Sequence, residues 1–463
     1  MVRMPEPALS SSSVFDETRA DADAYAEVLA ALGRGDLAAL SAGIRRELAD
    51  EGVQFQSAEG GEEFLVDPVP RIVSAAEWEL LARGLTQRLR ALERFLDDVY
   101  GRQEIVAAGI VPVAAVTSAS YFEAPLAGVE PVRWITIAGL DVVRGADGVM
   151  RVLEDNLRTP SGLAYALAAR RVVETRVAVP TGHALRALTE VPALLLAAIR
   201  SAAPADSEPN AVLLSDGPQN SAYYEHAVLA ELIGVPLVEP GALECRNGRL
   251  WLRAERGRTP VGVIYRRTDV DRVFTPAGEL TAIGELLYQP WRNGRLGLVN
   301  AFGTGVADDK LLHAYVEDMV RFYLGEEPEL RSVTTYDLSQ PDVREMVLER
   351  IAELVIKPRD GHGGHGVMIG PACTSRELER VRADVATDPG GFVAQEVVAL
   401  SHHPTVCAGE LEPRHVDLRP FVLCLADRME VVPGGLTRVA LDAGEMIVNS
   451  SRNGGAKDTW VLA

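Results

Sequence analysis

Two β-rich runs separated by a short turn occupy residues 132–156, which read VRWITIAGLDVVRGADGVMRVLEDN. The Gly-Ala-Asp-Gly sequence between the runs predicts a β-hairpin. Glu154 and Asn156 are two residues apart in the second run, so their side chains project from the same face of the strand. An even-length turn would bring Asp141 to that face, whereas an odd-length turn would remove it. The hairpin therefore predicts a cluster of oxygen-bearing side chains that depends on the turn length.

Carboxylates that face one another destabilise a sheet unless something positive lies between them. Oxygen ligands without cysteine or histidine favour Mg²⁺ over zinc. We therefore predict a magnesium site formed by Asp141, Glu154 and Asn156. The alternative is a solvated sheet face with incidental acids, and the pattern alone does not decide between the two.

A glycine-rich loop follows an apolar strand in residues 353–370, which read ELVIKPRDGHGGHGVMIG. Glycine lets backbone N–H groups approach phosphate oxygens closely, and lysine supplies a compact positive charge. The loop therefore has the composition of a phosphate-binding site. Its candidate residues are Lys357, Gly361, Gly363, Gly364 and Gly366. The residues that follow are β-rich rather than helical, which excludes a P-loop and a Rossmann turn. A glycine-rich hairpin with a surface lysine is the alternative.

Polar residues also interrupt the apolar strands of the last third of the chain. Gln395 and Glu396 suit an adenine edge or ribose hydroxyls, although an ordinary sheet edge fits equally well. Arg419 and Arg438 lie in apolar strands, where a buried guanidinium needs an anion, either an internal carboxylate or a ligand. Lys457 adjoins a second glycine-rich turn. Structural pairing is the alternative for each of these cations.

The composition excludes several classes of protein. The 463 residues include 46 Lys and Arg against 66 Asp and Glu, a formal charge of −20, so a nucleic-acid partner is not expected. The longest apolar stretch, around residues 191–199, is too short for a membrane span, and the first residues lack the apolar core of a secretory signal. The four cysteines form no C-x-x-C pair. We expect a globular cytoplasmic protein with no membrane partner.

Hydrophobic periodicity predicts helices through most of residues 1 to about 125, and Ser74 with Glu77 predicts a capping box. A strand, turn, helix and strand beginning at Ala211 predict a βαβ unit and a small parallel sheet. The predicted helices outside that unit include 21–40, 45–52, 74–100 and 339–351. The predicted parts of this α+β chain are 1–204, 205–335 and 336–463.

A series of strings along nearly the whole chain resembles the circularly permuted type 2 ATP-grasp family. The strings include LVDPVPRIVSAAEW, IAGLDVVRGADGVMRVLEDNLRTPSG, GPQNSAYYEHAVLAELIGVPLVE, VIKPRDGHGGHGVMIGP, HVDLRPFVL and NSSRNGGAKDTWVL. The LEDN-x-x-TP string is also similar to the metal strand of glutathionylspermidine synthetase, and KP-x-D-G is similar to the glycine-rich loop of eukaryotic glutathione synthetase. Such a series in this order is far more specific than any single motif.

The resemblance implies an ATP-grasp fold in which two α+β lobes clamp ATP and Mg²⁺, with a Rossmann-like unit and a helical N-terminal region. By matching positions, Lys357 and the loop through Gly366 would contact the phosphates, Gln395 and Glu396 would line the adenine and ribose site, and the hairpin would hold the metal. Asp360 matches an acid that reaches the metal, although its spacing from the lysine is one residue shorter. Arg419 and Arg438 would stabilise the transferred phosphoryl group or an acyl phosphate, and Lys457 would join the nucleotide site.

The family chemistry implied by the resemblance is ATP-dependent ligation of a carboxylate to an amine through an acyl phosphate. The substrates would be small acids and amines such as amino acids, peptides or polyamines, and an α-helical companion protein is an expected partner. Candidate residues for gripping a substrate carboxylate are Arg158, Arg266 and Arg267. Two alternatives stay open, namely a non-catalytic ATP-binding scaffold and a small-molecule kinase.

Overall fold

The computed structural model describes residues 15–57, 60–208, 210–255, 257–361, 364–448 and 454–463. The helices in these ranges are α1 Ala22–Leu32, α2 Leu37–Asp50, α3 Ala75–Val99, α4 Glu104–Ala107, α5 Val113–Thr117, α6 Leu163–Glu174, α7 Val191–Ser201, α8 Tyr223–Ile233, α9 Ala282–Arg292, α10 Val316–Leu324, α11 Pro341–Glu349 and α12 Ser375–Thr387.

The strands of the first half are β1 Gln54–Ser57, β2 Gly60–Glu63, β3 Val66–Val73, β4 Ile137–Gly139, β5 Asp141–Arg144, β6 Met150–Glu154, β7 Ala211–Ser215 and β8 Leu237–Val238. Those of the second half are β9 Leu243–Arg246, β10 Arg249–Ala254, β11 Gly257–Val261, β12 Val263–Arg267, β13 Gly297–Val299, β14 Thr335–Asp337, β15 Leu354–Pro358, β16 Met368–Ile369, β17 Phe392–Glu396, β18 His402–Cys407, β19 Glu410–Arg419, β20 Phe421–Cys424, β21 Met429–Val431, β22 Leu436–Ala440 and β23 Gly454–Val461.

The N-terminal region contains more breaks than the periodicity predicts. The stretch 21–40 is not one helix, because Asp36 begins a second one by accepting a hydrogen bond from the Ala39 amide at 2.9 Å. The predicted helix 45–52 is the end of this same α2. Strands β1 to β3 also lie in the stretch predicted as helical, and β3 pairs in parallel with β23, close to the C-terminus. Local periodicity cannot reveal a strand whose partner is so distant in sequence.

Helix α3 begins as predicted at Ser74, whose hydroxyl accepts a hydrogen bond from the Glu77 amide at 3.3 Å. The second half of the predicted capping box is absent from this helix. The Glu77 carboxylate instead accepts a bond from Arg144 Nη2 at 2.9 Å, which ties the helix to the hairpin strand β5. One face of α3 packs into the largest core cluster, with Trp78 and Leu92 among its buried residues.

A seven-stranded sheet forms the centre of the molecule, in the order β3-β23-β22-β19-β5-β6, with β18 beside β19. Its strands come from both ends of the chain, so the predicted parts 1–204 and 336–463 contribute to one sheet. A separate small sheet joins β4 to β20 and β21. Residue 140 thus separates two strands, β4 and β5, that belong to different sheets.

The predicted βαβ unit is present, and its strands form a parallel sheet in the order β13-β12-β7-β8. Helix α8 connects β7 to β8 and begins at Tyr223, three residues after Asn220. The Asn220 Oδ1 atom accepts a hydrogen bond from the Ala222 amide at 2.9 Å in the preceding turn. All four strands lie within 205–335, although the boundaries at 204/205 and 335/336 themselves stay predictions.

Residues 335–396, which we name the small lobe, carry the sheet β14-β17-β15-β16 with α11 and α12. This lobe has a hydrophobic core of its own that includes Leu338, Val347, Leu354 and Val385. The helix predicted over 339–351 is shorter, since α11 ends at Glu349. Helix α12 was not predicted, although Thr374 and Glu377 form its complete capping box.

No helix within the described ranges combines the length and the apolar character needed to cross a membrane. The four cysteines are all free.

Candidate active site

A cleft of about 610 Å³ lies between the small lobe and the hairpin β5–β6. Most of the residues singled out in the sequence line it, and they come from two distant stretches of the chain, 141–158 and 357–438. The predicted residues that line it are Asp141, Glu154, Asn156, Arg158, Lys357, Asp360, Gly361, Gly364, Gln395, Glu396, Arg419 and Arg438. Asn156 and Lys357, about 200 positions apart in the sequence, therefore meet at one cavity.

The strand register of the hairpin differs from the one that the sequence predicts. The connection between β5 and β6 consists of residues 145–149, which is an odd length. The register that pairs Val142 with Val152 would place Asp141 opposite Leu153, and Glu154 on the other face. A bulge shifts the register at this point, so that Asp141 lies opposite Glu154. The condition of an even turn was therefore wrong, but the two carboxylates nonetheless share a face.

Asp141 is already held by two guanidinium groups. Its oxygens accept bonds from Arg419 Nε at 2.6 Å and Arg419 Nη2 at 2.9 Å, and Arg438 Nη2 lies 2.9 Å away. Arg438 also donates from Nε to Asp417 at 2.8 Å. Burial opposes ionisation of Asp141, but Arg419 and Arg438 outweigh it and lower its pKa to about 2. Arg419 and Arg438 thus have the internal carboxylate partners that their strands required.

Glu154 and Asn156 are less constrained than Asp141. The Glu154 side chain is 31% exposed and pairs with Lys310 Nζ at 3.1 Å. The side-chain Nδ2 of Asn156 is buried without a hydrogen-bond partner among the described residues. The amide is therefore not committed to the protein around it and is free to turn its oxygen toward a ligand.

These donors fit Mg²⁺, which usually binds through one or two carboxylates together with waters and substrate phosphates. Within the described residues, no three His, Cys, Asp or Glu side chains form a group able to hold a metal by themselves. Glu154 and Asn156 offer available oxygens, whereas both oxygens of Asp141 already accept bonds from arginine. The hairpin therefore suits an ion that receives part of its shell from a ligand.

Strand β15 delivers Lys357 to the opposite side of the cleft. Its ammonium group has no hydrogen-bond or ion-pair partner within the described part of the chain. Burial lowers the pKa of Lys357, while the charge of Glu154 opposes that change. A half-buried cation without a bonded counterion is unusual inside a protein, and its position suits an anionic ligand.

The loop after Lys357 is anchored to the rest of the molecule at its base. Arg359 is buried and binds Asp309 through Nε at 2.6 and 2.8 Å. Asp360 accepts a hydrogen bond from Ser120 Oγ at 2.5 Å. The carbonyl of Gly361 accepts a bond from Lys310 Nζ. These contacts fix the base of the loop.

The glycines of the loop are not equivalent. Gly364 and Gly366 have φ values of 75° and 72°, a region that glycine adopts without strain. Gly364 lines the cleft, whereas Gly366 packs beside Pro358 outside it. The prediction for Gly363 falls outside the described residues.

Gln395 and Glu396 both line the cleft from strand β17. Gln395 Nε2 donates to Thr335 Oγ1 at 2.9 Å, and its Oε1 is buried without a partner among the described residues. Glu396 accepts a bond from Tyr336 at 2.6 Å and pairs with Arg350 at 3.0 Å. The unpaired amide oxygen of Gln395 is thus an available acceptor at this wall.

Three of the predicted cations do not reach the cleft. Lys457 is fully buried, where its ammonium binds Asp67 and the Pro404 carbonyl, the latter at 3.1 Å. Arg266 binds Asp271, and Arg267 donates to Glu225 at 2.9 Å. All three were expected to touch a ligand. Each instead pairs with an internal carboxylate, because burying an unpaired cation is costly.

Arg158 alone of the proposed carboxylate-gripping arginines lines the cleft. Its Nε donates to Asp308 at 2.9 Å, its Nη1 lies 3.4 Å from Asp271, and its guanidinium stacks 3.9 Å above the Tyr121 ring. Gly305 permits this stack, since a Cβ there would lie 2.6 Å from Arg158 Cδ. Burial raises the pKa of Asp308 to about 6, although Arg158 opposes that rise. Among the described residues, Nη2 of this rigid guanidinium has no hydrogen-bond partner.

Sequence reasoning missed Lys310, Asp308 and Tyr121, which also line the cleft. A signal for Lys310 was present, because the chain has only three lysines, Lys310, Lys357 and Lys457, among its 46 basic residues. The scarcity of lysine marks all three positions, and two of the three line the cleft. No comparable signal marks Tyr121 or Asp308, because their roles depend on contacts with Arg158.

Comparisons with known proteins identify the family of this chain. The sequence profile described as circularly permuted ATP-grasp type 2 matches residues 70–440. The match covers most of the chain, so the protein belongs to this family. The α+β fold class predicted from the sequence is thereby confirmed.

The similar relatives are mostly uncharacterized. An uncharacterized protein of Mycobacterium tuberculosis (strain ATCC 25618 / H37Rv) is 42% identical over 98% of this chain and 84% of its own length. A protein of Frankia alni named "Putative glutamate--cysteine ligase 2-3" is 46% identical over 90% of this chain. The matched region is 49% of that relative, so this chain corresponds to about half of its length.

A solved structure shares the fold. The apo form of a glutathione synthetase-like effector from Globodera pallida superposes with a TM-score of 0.60, covering 91% of this chain and 96% of its own. The sequence identity is 10%, so the likeness concerns the fold alone.

Proposed function

We propose that this protein is an ATP-dependent carboxylate–amine ligase that forms an amide bond through an acyl phosphate. Membership of the ATP-grasp family and the name carried by the Frankia relative support a ligase in general terms. The observation that carries the proposal is the cleft itself, where Lys357, which has no bonded partner among the described residues, lines the same cavity as the oxygen donors Glu154 and Asn156. The phosphates of a nucleotide are anionic, so they suit a lysine on one side of the cleft and a metal ion on the other.

In this proposal the triphosphate of ATP lies between the small lobe and the hairpin. Lys357 and Lys310 bind phosphate oxygens, and the backbone of the loop through Gly364 covers them. Glu154 and Asn156 would hold Mg²⁺, which would neutralise charge on the phosphate oxygens when bound, and Asp141 would add its negative charge beside them while its oxygens stay bonded to Arg419 and Arg438.

In this proposal Arg419 and Arg438 stabilise the negative charge of the transferred phosphoryl group. Both guanidinium groups are fixed by Asp141 and Asp417 before any ligand arrives. Preorganised donors stabilise developing charge without reorganising during the reaction. They would therefore orient and stabilise the phosphoryl group as it moves.

The proposed reaction needs no nucleophile from the enzyme. A carboxylate oxygen of the acid substrate attacks the γ-phosphorus, the bond to the β–γ bridging oxygen breaks, and ADP leaves. The amine then attacks the carbonyl carbon of the acyl phosphate, phosphate leaves with the bonding electrons, and the amine loses a proton. Coverage by the loop would exclude water, which would otherwise hydrolyse the acyl phosphate.

The substrates we propose are small carboxylic acids and amines, such as amino acids, peptides or polyamines. Arg158 is the candidate for binding a carboxylate of the acid, through the Nη2 edge that its own partners leave available. A guanidinium fixed by stacking and two carboxylates loses little entropy when it binds an anion.

The ligase proposal is tested by incubating the protein with ATP, Mg²⁺ and pools of amino acids or polyamines. A ligase forms ADP, phosphate and a mass-shifted amide. Phosphorylated substrate without an amide would indicate a kinase, and tight nucleotide binding without turnover would indicate a scaffold.

A lysine-reactive ATP probe gives an independent test of nucleotide position. An acyl phosphate of ATP transfers its acyl group to a nearby lysine amine, with ATP as the leaving group. Because the chain has three lysines and Lys457 is fully buried, labelling should fall on Lys357 or Lys310. Excess ATP should block that labelling, whereas labelling of neither lysine would contradict the proposed nucleotide position.

A further inference from the structure

The small lobe joins the remainder of the chain through two segments, and both bind the hairpin. The incoming segment contacts β6, where the Val333 amide donates to the Val152 carbonyl at 2.8 Å. The outgoing segment, residues 397–402, contacts the end of β5 and the turn. In it the Ser401 amide donates to the Arg144 carbonyl at 3.0 Å, and Ala146 donates to the Ala399 carbonyl at 2.7 Å.

The outgoing segment also borders the cleft, since Val398 and Leu400 line it. It follows directly from Gln395 and Glu396 at the end of β17. A shift of this segment along the hairpin would therefore move the small lobe, and Lys357 with it, relative to Glu154.

Two acidic residues near the N-terminus bind this outgoing segment. Asp16 Oδ1 accepts a hydrogen bond from the His402 amide at 2.5 Å, and Glu17 Oε1 accepts one from Ser401 Oγ at 2.5 Å. Both acids belong to the 3-10 turn Asp16–Asp21, outside the range 70–440 that the family profile matches. Consecutive residues of one turn thus hold consecutive residues of the outgoing segment.

Glu17 is itself rigidly held. It is fully buried, and its carboxylate binds Arg71 Nη2 at 2.5 Å and Arg144 Nε at 3.1 Å. Burial opposes ionisation of Glu17, but Arg71 and Arg144 outweigh it and lower its pKa to about 2. The carboxylate therefore links β3, β5 and the outgoing segment as a fixed anion.

We propose that Asp16 and Glu17 are positioning residues that lock the outgoing segment of the small lobe onto the hairpin and so set the width of the nucleotide cleft. The inference rests on the proposed function only in taking the cleft as the nucleotide site. Neither residue lines the cleft, so both act through Ser401 and His402. Loss of these contacts would release the lobe without removing any group that touches a ligand.

The first test measures amide hydrogen exchange in the nucleotide-free protein. Asp16→Ala and Ser401→Ala each delete one contact and leave the buried pairs of Glu17 with arginine intact. Exchange in a peptide spanning residues 397–403 should accelerate about tenfold, since each lost bond is one that held this segment closed. Asp36→Ala, which removes an exposed helix cap in the same region, should leave that peptide unchanged.

The second test separates positioning from simple loss of stability. The affinity for ATP should fall about tenfold in both alanine variants, while the rate at saturating ATP stays within about twofold, because the reacting groups are untouched. Asp16→Asn keeps an oxygen acceptor for the His402 amide, and Ser401→Thr keeps the hydroxyl. Both conservative variants should therefore bind ATP like the wild type.

Wild-type exchange and wild-type ATP affinity in the two alanine variants would overturn the inference. So would an Asp16→Asn variant as impaired as Asp16→Ala, since the acceptor oxygen would then not explain the effect. A wild-type protein that binds ATP but forms no amide would contradict the ligase proposal alone. A wild-type protein that does not bind ATP would overturn both.

Discussion

Asp141 lies directly opposite Glu154 in the hairpin, although the five residues 145–149 that connect their strands would set it opposite Leu153. One extra residue in β6 changes the register immediately before the site. Bulges of this kind redirect side chains next to functional sites. The consequence is that one carboxylate binds two arginines while its neighbour across the strands remains available to a ligand.

Glu154→Gln should remove the response to Mg²⁺ while leaving the fold intact. Its carboxylate is partly exposed and has one ion pair, so the melting temperature should change by less than about 2 °C. The rate at 1 mM Mg²⁺ should fall about a hundredfold, an effect typical of losing one preorganised electrostatic contact. A titration of activity against Mg²⁺ measures this. Asp147→Asn, on the turn of the same hairpin, is the control, and an unchanged titration for Glu154→Gln would remove the metal assignment.

Asp141→Asn should instead destabilise the protein. Removing one partner of a buried ion pair typically costs about 3–5 kcal/mol, and here Arg419 would lose its carboxylate partner while Arg438 would keep only Asp417. Thermal unfolding alongside Glu154→Gln provides the comparison, because the two residues share a face. Equal melting temperatures for the two variants would show that Asp141 is not a structural anion.

The same variant should alter stability in acid. The pKa of Asp141 is about 2 in the folded state, below its value in an unfolded chain, so its ionised form favours folding. That contribution is fully present above about pH 4 and is lost as the pH falls toward 2. Urea unfolding of the wild type should therefore weaken more steeply than that of Asp141→Asn over this interval. Parallel curves would contradict the assigned shift.

Asp308 should control how substrate binding depends on pH. Its pKa is raised to about 6, so it protonates as the pH falls through 6 and loses its charged hold on Arg158. We expect the KM for the acid substrate to rise below pH 6 with little change in kcat. Asp308→Asn should show a KM that does not vary between pH 5 and 8, whereas Asp342→Asn, an exposed control, should behave like the wild type. A pH-dependent KM in Asp308→Asn would assign the effect elsewhere.

Gly305→Ala should weaken the binding of the acid substrate without changing the binding of ATP. The new Cβ would lie 2.6 Å from Arg158 Cδ and 2.5 Å from Tyr121 Cβ, closer than real contacts allow, so the stacked pair must move. The KM for the acid should rise about tenfold, and the Kd for ATP should stay the same. Gly43→Ala is the matched control, since nothing lies within 4 Å of its added Cβ. Equal kinetics for the two variants would disconnect Arg158 from the acid.

The particular failures of sequence reasoning share a cause. Lys357 and Lys457 look alike in sequence, each beside a glycine-rich turn, yet only Lys357 reaches the cleft. Lys457 lies in β23 and meets Asp67 from β3, a strand nearly 400 residues away. Arg266 and Arg267 likewise form ion pairs with internal carboxylates. Whether a basic side chain meets a ligand or an internal acid depends on strand pairing, which the local sequence does not encode.

The sequence by itself determined the family, the βαβ unit, the hairpin and the glycine-rich loop, because turn residues and strand periodicity are local properties of the chain. Only the tertiary structure decided which charges remain available. It paired Asp141 with Arg419 and Arg438, left Lys357 without a bonded counterion among the described residues, and placed Lys310 beside Glu154. Those outcomes follow from distances between residues far apart in the chain, which packing alone sets.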